Sequence, residues 1–456
     1  MQQFAQLAAA QRAFFQTGKT RTPAYRKKAL SDLKGAVTAY GDRLLAALKA
    51  DLNKSAFEAY ETELGIVLAE LGSAQKSLGK WTKPRRVGTP LTHFPGRSRI
   101  YPEPYGVALI LSPWNYPLQL TLTPLIGAIA AGNCAVIKPS NDSGTVSRVL
   151  KEMLETVFPP EYVAVVLGGR EANGGLLEEK FDYIFFTGSV AVGKMVMAAA
   201  AKNLTPVTLE LGGKSPCIVD ETADIDAAAR RIIWGKLVNA GQTCVAPDYL
   251  YVHRSVKEQL IARMAHYSQV FYTENPLAED TLPKIISWKH FDRLMGLMDS
   301  GNIVLGGESD PERLRIAPTI LDGVDWDAPI MGEEIFGPLL PVLTFETLTE
   351  VIETVTARPK PLALYLFTSS DANRRLILER ISFGGGCVND TIMHVAAPKL
   401  PFGGVGASGM GHYHGKASFD TFTHYKGVYH KGRRPDIALR YPPFDGKETL
   451  LKRMLR

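Results

Sequence analysis

The sequence contains little cysteine. Its 456 residues include four cysteines, with no C-x-x-C pair and no Cys/His cluster at the spacing of metal ligands. This scarcity argues against a disulfide framework and against a zinc site. Cysteines that stand far apart are compatible with a reducing compartment, so we expect a cytoplasmic protein without a bound metal.

Long hydrophobic runs are also missing. The longest apolar stretch, 118–137, is interrupted by Gln119, Thr121, Pro124 and Asn133, which makes it a poor membrane span and a good buried helix-to-strand segment. The N-terminus repeats apolar side chains at helical spacing but lacks a basic start, so it indicates an amphipathic packing helix and not a signal peptide. We therefore expect no integral membrane segment.

Basic charge is scarce outside one terminal segment. The net charge is +6, and the segment 426–456 alone holds nine Lys and Arg against three Asp and Glu. The chain before it is neutral and has no basic stripe interleaved with aromatic residues, which argues against nucleic acid as a partner. A solvated tail is the simplest interpretation of the basic segment. Membrane contact through Leu450–Arg456 is an alternative, but so short a segment buries too little apolar area to hold a protein on lipid.

The remaining composition is that of a globular protein, with 45% hydrophobic and 21% charged residues. A chain of this length exceeds one compact core, so two or more domains are expected. Helical periodicity runs from about residue 22 to 80, and the proline-rich stretch 87–105 then predicts an edge strand or hairpin.

From Gly106 onward, short β-rich runs alternate with helical ones. The first series predicts strands at 107–111, 135–138, 163–167, 183–187 and 207–211, with helices near 118–131, 143–157 and 192–201. The pattern restarts with a strand at 216–219, a helix near 225–240 and a strand at 249–252, and the segment after Gly411 shows few helix signals. This alternation predicts parallel sheets in two α/β domains that join near Gly212 and Gly213, with ligands at the carboxyl ends of the strands.

The segment 185–195 places Gly188 and Gly193 at the two ends of a turn between a strand and a helix. Backbone N–H groups at such a helix start suit a phosphate or another anion. The segment nearly matches a P-loop, but Met195 stands where that motif needs Ser or Thr, and a G-x-G-x-x-G fingerprint is absent. By itself the loop indicates an anionic ligand and no more.

Cys244 and Glu210 are candidate reactive groups. Cys244 ends the run Gly241–Cys244 beside a predicted helix terminus, whereas the other cysteines lie in apolar or glycine-rich runs, where a thiol is usually an inert core group. The residues alone leave both a reactive and a structural Cys244 open, and no histidine stands in a sequence context that pairs with it. Glu210 lies between two leucines at a predicted strand end, where burial raises a carboxyl pKa toward that of a general base. A capping or salt-bridging role for Glu210 is equally open.

Seven motifs stand in family order and together resemble the aldehyde dehydrogenase superfamily, from about Tyr105 to Lys416. They are Pro113–Pro117, Lys138–Ser140, Phe186–Ser189, Leu209–Lys214, Gly241–Cys244, Glu333–Pro338 and Leu400–Gly404. The short N-terminus, the run Thr205–Cys217 and the stretch Pro401–Lys416 are most similar to the class 3 branch of that family.

The resemblance implies that Cys244 is the nucleophile, that Asn115 and the Cys244 backbone N–H form the oxyanion hole, and that Glu210 is the base. A thiolate adds to an aldehyde to give a thiohemiacetal, whose collapse delivers hydride to a nicotinamide and leaves a thioester. Relatives that pass the acyl group to coenzyme A generally lack this glutamate, so hydrolysis to a carboxylic acid is expected. A nucleotide-binding relative without activity is the alternative, but such a binder has no need of these three residues together with Glu334.

For the cofactor, the resemblance implies Lys138 at the adenosine ribose, Gly188–Gly193 at the pyrophosphate, and Glu334 with Phe336 at the nicotinamide ribose. The full set of expected cofactor residues is Trp114, Lys138, Ser140, Asn141, Gly188, Ser189, Gly193, Leu211, Glu334 and Phe336. Many NAD-using relatives carry a glutamate at the position of Asn141, and its absence removes the repulsion of a 2′-phosphate. We therefore expect both NAD and NADP to be used.

The expected substrate tunnel is aromatic and apolar. By analogy it is lined by Tyr116, Trp234, Thr243 and Ile392–His394, although core packing stays open for Trp234 and a structural role is expected for His394 more than proton transfer. Such a tunnel favours medium- or long-chain aliphatic or aromatic aldehydes as the small-molecule partner.

The implied fold is α/β, in three parts. A Rossmann-like nucleotide-binding domain is expected over 1–86 and 106–211, and a second α/β catalytic domain over 212–412. A small β bridging element and tail are expected over 87–105 and 413–456. A bridging element of this kind implies a homodimer.

Overall fold

The computed structural model describes residues 2–278, 282–436 and 438–454. Over these residues the chain forms two large, mostly parallel β-sheets flanked by helices, and a small antiparallel sheet. This architecture confirms the mixed α/β fold class that the alternation of strands and helices predicts.

Helices open the chain, as predicted, including the packing helix at the N-terminus. They span Gln2–Gln16, Pro23–Ala39, Gly41–Leu52, Ala56–Ala59 and Gly65–Trp81, with a π-helical turn at Tyr60–Leu64. Thr22 begins the second helix, because its hydroxyl accepts a hydrogen bond from the Tyr25 N–H and Pro23 suits the first helical position. Short 3₁₀ turns elsewhere occupy Lys19–Arg21, Leu91–His93, Val238–Gly241, Arg254–Val256, Met298–Ser300 and Ala438–Arg440.

The first sheet contains six strands of the described chain, in the spatial order Gly409–Met410, Val207–Glu210, Tyr183–Thr187, Val107–Leu111, Cys134–Lys138 and Val163–Val165. All neighbours are parallel except the first pair. Its helices are Gln119–Ala131, Gly144–Glu155, Arg170–Leu177 and Val190–Ala201. The chain order of the strands reverses at Val107–Leu111, and doubly wound sheets bind ligands at the carboxyl ends of the strands beside such a point.

The second sheet contains seven strands of the described chain, in the order Asn302–Leu305, Thr319–Asp322, Leu339–Phe345, Tyr249–His253, Pro216–Val219, Ala363–Phe367 and Gly385–Val388. The first strand is antiparallel to its neighbour and the others are parallel. A two-stranded ribbon joins Ser309–Asp310 to Arg315–Ile316. The helices of this part are Ile225–Leu237, Lys257–Tyr272, Trp288–Met295, Pro329–Gly332, Leu348–Thr356, Asp371–Arg380 and Met393–Ala396.

The small sheet consists of Arg85–Val87, Arg97–Pro104 and Thr423–His430, each antiparallel to its neighbour. It confirms the hairpin expected for the proline-rich stretch. The segment after Gly411 also holds helices Lys416–Thr421 and Glu448–Met454, which the sequence pattern did not predict. Its last two residues, Leu455 and Arg456, lie outside the described part. Over the described ranges, no helix is long and apolar enough to cross a bilayer.

The chain returns to the first sheet after the second sheet is complete. Gly409–Met410, which lies inside the range expected for the catalytic domain, pairs with Leu209 and Glu210. Helix Lys416–Thr421 then packs on helix Gln119–Ala131, whose thirteen residues are all buried. The domain boundaries given above stay a prediction, and this exchange of a strand shows how closely the two parts are joined.

Candidate active site

A tight turn positions Cys244. Helix Ile225–Leu237 ends three residues before the predicted residue 240, because Asn239 and Ala240 adopt left-handed backbone angles with φ of 54° and 52°. Gly241 follows with φ of 72°, and a Cβ on it would stand 2.2 Å from the Gly337 carbonyl oxygen. Only glycine fits this position, so the chain can turn sharply and place Cys244 at the end of the loop.

The surroundings of the Cys244 thiol disfavour its thiolate form. The side chain is half-buried. Burial raises the pKa of this thiol, and the nearby carboxyl groups of Glu334 and Glu210 raise it further. Cys244 is therefore a protonated thiol near neutral pH, and it becomes a stronger nucleophile as the pH rises.

Asn115 lies against the loop that carries Cys244. This side chain is buried, and its Nδ2 donates a hydrogen bond of 3.0 Å to the carbonyl oxygen of Gln242. The next residue, Tyr116, makes a second link, with 2.6 Å between its hydroxyl and Thr243 Oγ1. Two adjacent side chains thus fix the segment of Asn115 to the residues that directly precede the thiol.

Glu210 ends strand Val207–Glu210 with its carboxyl group buried. Neither Oε1 nor Oε2 has a hydrogen-bond partner within the described chain, and the side chain is 2% exposed. Burial raises its pKa well above the usual range of a glutamate. The described residues thus supply neither the capping contact nor the salt bridge that the sequence left open. A carboxyl group in this state suits the uptake of a proton from water.

Glu334 is a half-buried residue that brings a second carboxyl group near the thiol. Its Oε1 has no hydrogen-bond partner in the described chain, and burial raises its pKa well above the usual range, with Asp248 adding to the effect. A Cβ on Gly212 would lie 1.9 Å from Glu334 Oε2, so the carboxyl group fits only against glycine. An orphaned buried oxygen of this kind is available to a hydroxyl group of a bound ligand.

At the carboxyl edge of the first sheet, the loop and helix start Gly188–Gly193 form a cradle of the kind that binds a dinucleotide. Ser189 caps helix Val190–Ala201, and its hydroxyl accepts a hydrogen bond from the Val192 N–H. A Cβ on Gly193 would lie 2.6 Å from the side chain of Leu211, so this helix packs closely on the strand end. The first N–H groups of a helix at this place suit a pyrophosphate.

Other expected cofactor residues surround the cradle. Lys138 ends its strand with a buried side chain, donates to the Pro139 carbonyl at 2.9 Å, and has its pKa lowered by burial. Ser140 and the exposed Asn141 follow it. From the part of the chain that forms the second sheet, Phe336 packs edge-to-face on Trp114, with 5.4 Å between ring centroids. The residues present thus offer an anion site, polar groups and an aromatic wall, which fit a dinucleotide.

A cavity of about 160 Å³, partly open to solvent, is lined in part by Cys244. Its lining includes five of the expected tunnel residues, Tyr116, Trp234, Thr243, Ile392 and Met393. The sequence pattern did not indicate the other lining residues, which are Glu61, Thr62, Ile66, Gln119, Leu120, Val238, Val245, Val395, Ala396, Phe402 and Tyr413. Gln119 and Val245 follow motifs named above and Phe402 lies inside one, so the sequence offered a signal for these residues. Glu61, Thr62 and Ile66 come from the N-terminal helical region, which contains none of these motifs.

His394 does not line this cavity, so its place in the expected tunnel run Ile392–His394 is wrong. Its Nδ1 lies 3.5 Å from Cys387 Sγ, and burial lowers its pKa to about 4. It is therefore a neutral, packed histidine, as expected. Within the described ranges, no group of three or more His, Cys, Asp or Glu side chains could hold a metal ion.

Comparisons with known proteins agree with this geometry. The model of the aldehyde dehydrogenase family matches residues 2–428. The chain is 51% identical over 443 residues to 4,4'-diaponeurosporen-aldehyde dehydrogenase of Staphylococcus aureus, covering 97% of this chain and 96% of the relative. It is 47% identical over 438 residues to aldehyde dehydrogenase family 3 member B1 of Mus musculus, covering 96% of this chain and 94% of the relative.

Solved structures show the same similarity. A substrate-bound structure of Staphylococcus aureus AldH superposes with a TM-score of 0.98 at 50% identity and covers 99% of both chains. An NAD-dependent aldehyde dehydrogenase from Sinorhizobium meliloti superposes with a TM-score of 0.86 at 30% identity, covering 96% of this chain and 88% of that one. The chain therefore belongs to the aldehyde dehydrogenase family, in its class 3 branch, and is an NAD(P)-dependent aldehyde dehydrogenase.

Proposed function

We propose that the enzyme oxidises apolar aldehydes to carboxylic acids through a thioester on Cys244. The observation that carries this proposal is that Cys244 lines a cavity, on a loop that accepts a hydrogen bond from the Asn115 amide and lies near enough to Glu210 for its carboxyl group to raise the pKa of the thiol. The Cys244 sulfur attacks the aldehyde carbon, and the carbonyl oxygen becomes the oxyanion of a thiohemiacetal.

The Asn115 amide and the Cys244 backbone N–H stabilise this oxyanion. The amide has two N–H donors, and in the free enzyme one of them is held by the Gln242 carbonyl at 3.0 Å. The other donor is directed by the same bond, so the amide needs little reorganisation when the negative charge develops.

Glu210 then activates water for hydrolysis of the thioester. Its raised pKa comes from burial alone, and its oxygens are not engaged by other groups of the described chain. The carboxylate form takes a proton from water, the resulting hydroxide attacks the thioester carbon, and the C–S bond breaks to release the acid.

The dinucleotide is expected at the cradle described above, with Lys138 and Ser140 toward the adenosine ribose and Gly188–Gly193 toward the pyrophosphate. Glu334, whose Oε1 has no hydrogen-bond partner in the described chain, is expected on the nicotinamide ribose side together with Phe336. When bound, the nicotinamide supplies the hydride acceptor. Asn141 is uncharged and exposed, so a 2′-phosphate meets no repulsion there and NADP is used as well as NAD.

The cavity favours aliphatic or aromatic aldehydes of medium or long chain. Most of its lining side chains are apolar, including Trp234, Leu120 and Val395. The polar side chains of the lining, which include Glu61 and Gln119, are too few to bind a charged or highly hydroxylated substrate along the length of the cavity. A panel of aldehydes read by reduced-nicotinamide absorbance, from short to long chain, tests this preference.

The cysteine assignment has a matched control. Cys244→Ala should abolish aldehyde oxidation, whereas Cys387→Ala, which removes another half-buried thiol, should leave it intact. Incubation with aldehyde and cofactor should place an acyl adduct on Cys244, which intact-protein mass spectrometry detects. Parental oxidation by Cys244→Ala would show that a different group carries the chemistry.

We further infer a cytoplasmic homodimer. Strand Thr423–His430 lies at an edge of the small sheet with Tyr425 and Tyr429 exposed, and an edge of this kind readily pairs with another chain. Light scattering on the eluting protein should give the mass of two chains, and the mass of one chain would contradict the dimer.

A further inference from the structure

A buried ion pair lies beside the candidate active site. The Nζ of Lys54 and Oε1 of Glu63 are 2.6 Å apart, and neither side chain is exposed. Removing two charges from water is costly, and a well-packed apolar pair of the same volume is often as stable. Stabilisation of the fold therefore does not by itself explain the buried pair. Its other contacts indicate a further role.

Lys54 contacts the segment that carries Asn115. Its Nζ donates a hydrogen bond of 3.1 Å to the Asn115 carbonyl oxygen. The same ammonium group lies 4.0 Å from the centroid of the Tyr116 ring, a cation–π distance. Lys54 therefore fixes the backbone of one proposed oxyanion-binding residue and the ring of the tyrosine that is linked to the nucleophile loop.

Glu63 holds the other end of the same segment. Its Oε2 accepts hydrogen bonds from the backbone N–H groups of Leu118 and Gln119, at 2.8 and 3.3 Å. These groups begin helix Gln119–Ala131, where free N–H groups attract a negative charge. The ion pair thus clamps the segment from both sides.

The carboxylate of the pair belongs to a π-helical turn, Tyr60–Leu64. Such turns add one residue to a helix and occur frequently at functional sites. Glu61 and Thr62 of this turn line the cavity, while Glu63 points into the protein. This π-helical turn therefore supplies part of the cavity wall and also the carboxylate that holds the segment beginning at Asn115.

A third residue completes the network around Asn115. Asn239, which has left-handed backbone angles, donates through Nδ2 to the Asn115 carbonyl at 2.8 Å and to the Gln242 carbonyl at 3.1 Å. Lys54 and Asn239 therefore share one acceptor, and the Asn115 backbone has little freedom. An oxyanion donor acts over a narrow range of distances, and a misplacement of about 1 Å costs about 10²-fold in rate.

We propose that Lys54 and Glu63 are positioning residues, which hold the Asn115 amide at the place where the oxyanion forms on Cys244. This role rests on the function proposed above for Asn115 and Cys244. Neither residue of the pair lines the cavity, so both act through the segment 115–119 that they hold, which begins with Asn115.

A paired variant tests this role. Lys54→Met with Glu63→Gln removes both charges and keeps the side-chain volumes. Hydrolysis of 4-nitrophenyl acetate, which forms a tetrahedral oxyanion on Cys244 without any cofactor, should fall in kcat by about 10- to 100-fold, with KM changed by less than about twofold. Alkylation of Cys244 by iodoacetamide forms no oxyanion, and its rate should stay within about twofold of the parent.

The control variant, Arg43→Met with Glu152→Gln, removes an exposed ion pair of the same length, which joins helix Gly41–Leu52 to helix Gly144–Glu155. It should change the hydrolysis rate by less than about twofold. The paired variant is also made in an Asn115→Ala background. In that background it should lower the hydrolysis rate by less than a further factor of about two, because the Asn115 amide through which it acts is already absent.

The paired variant could lower the hydrolysis rate by the same factor in the parent and in the Asn115→Ala background, or lower the alkylation rate as much as the hydrolysis rate. Either result would show a general structural role and overturn the positioning role. Parental hydrolysis by Asn115→Ala alone would instead remove the function proposed for Asn115, and the positioning role with it. If the paired variant does not fold, Glu63→Asp keeps the charge and shortens the side chain. Unchanged hydrolysis by folded Glu63→Asp would refute the clamp.

Discussion

Replacement of Glu210 by glutamine should separate the two halves of the reaction. Glu210→Gln keeps the shape of the side chain and removes its ability to accept a proton. Neither carboxylate oxygen has a hydrogen-bond partner in the described chain, so no internal contact is lost, and the free energy of unfolding should change by less than about 1 kcal/mol. Acylation of Cys244 should continue, while hydrolysis of the thioester slows.

The expected loss follows from the role of a general base. Proton transfer by a positioned carboxylate contributes about 10²–10⁴-fold, or about 2.7–5.4 kcal/mol in the barrier, so steady-state kcat should fall by that factor. Stopped-flow absorbance should show a burst of about one reduced nicotinamide per active site, followed by a slow phase. Mass spectrometry of the intact protein should show the acyl group on Cys244 during the slow phase.

Glu70 provides a matched control. Its carboxyl group is also buried, with a raised pKa, but Oε1 accepts a 2.7 Å hydrogen bond from the Gly415 N–H, and Glu70 does not line the cavity. Glu70→Gln should therefore show no burst and no trapped adduct. Turnover of Glu210→Gln at the parental rate, or slow turnover with an unmodified Cys244, would refute the reasoning.

The remaining predictions concern the oxyanion, the cofactor and the thiol. Asn115→Ala should lower kcat for aldehyde oxidation by about 10²–10³-fold in steady-state assays with the thermal midpoint monitored alongside. Asn141→Glu should shift the ratio of kcat/KM for NAD over NADP toward NAD by at least about tenfold, and the parent ratio should stay below about a hundredfold; a larger parent ratio contradicts the role given to Asn141. Gly212→Ala should weaken cofactor binding in calorimetric titrations, because its Cβ would occupy the place of the Glu334 carboxyl group. Because the pKa of Cys244 is raised, its alkylation by iodoacetamide should still accelerate with rising pH well above neutrality, and a plateau below pH about 8 would contradict the raised value.

Local sequence pattern determined the secondary structure and the type of sheet. Strands Tyr183–Thr187 and Pro216–Val219 have the bounds that their apolar runs predict, because short apolar segments between turns are local signals. Their alternation with helices is enough to require parallel pairing. Helix Ile225–Leu237 ends earlier than its periodicity predicts, since the turn at Asn239 and Gly241 depends on a contact with Gly337, far away in the chain.

The motifs identified Cys244, Asn115 and Glu210 as a set, but their residue types alone left each role open. Only the tertiary structure brings the three near one another and leaves the Glu210 carboxyl group without a hydrogen-bond partner among the described residues. The tertiary structure also places Lys54 and Glu63 in contact with the segment of Asn115, and it places residues of the N-terminal helical region on the cavity wall. These contacts join residues far apart in the chain, so they depend on how whole helices and sheets pack, and no local periodicity or propensity encodes them.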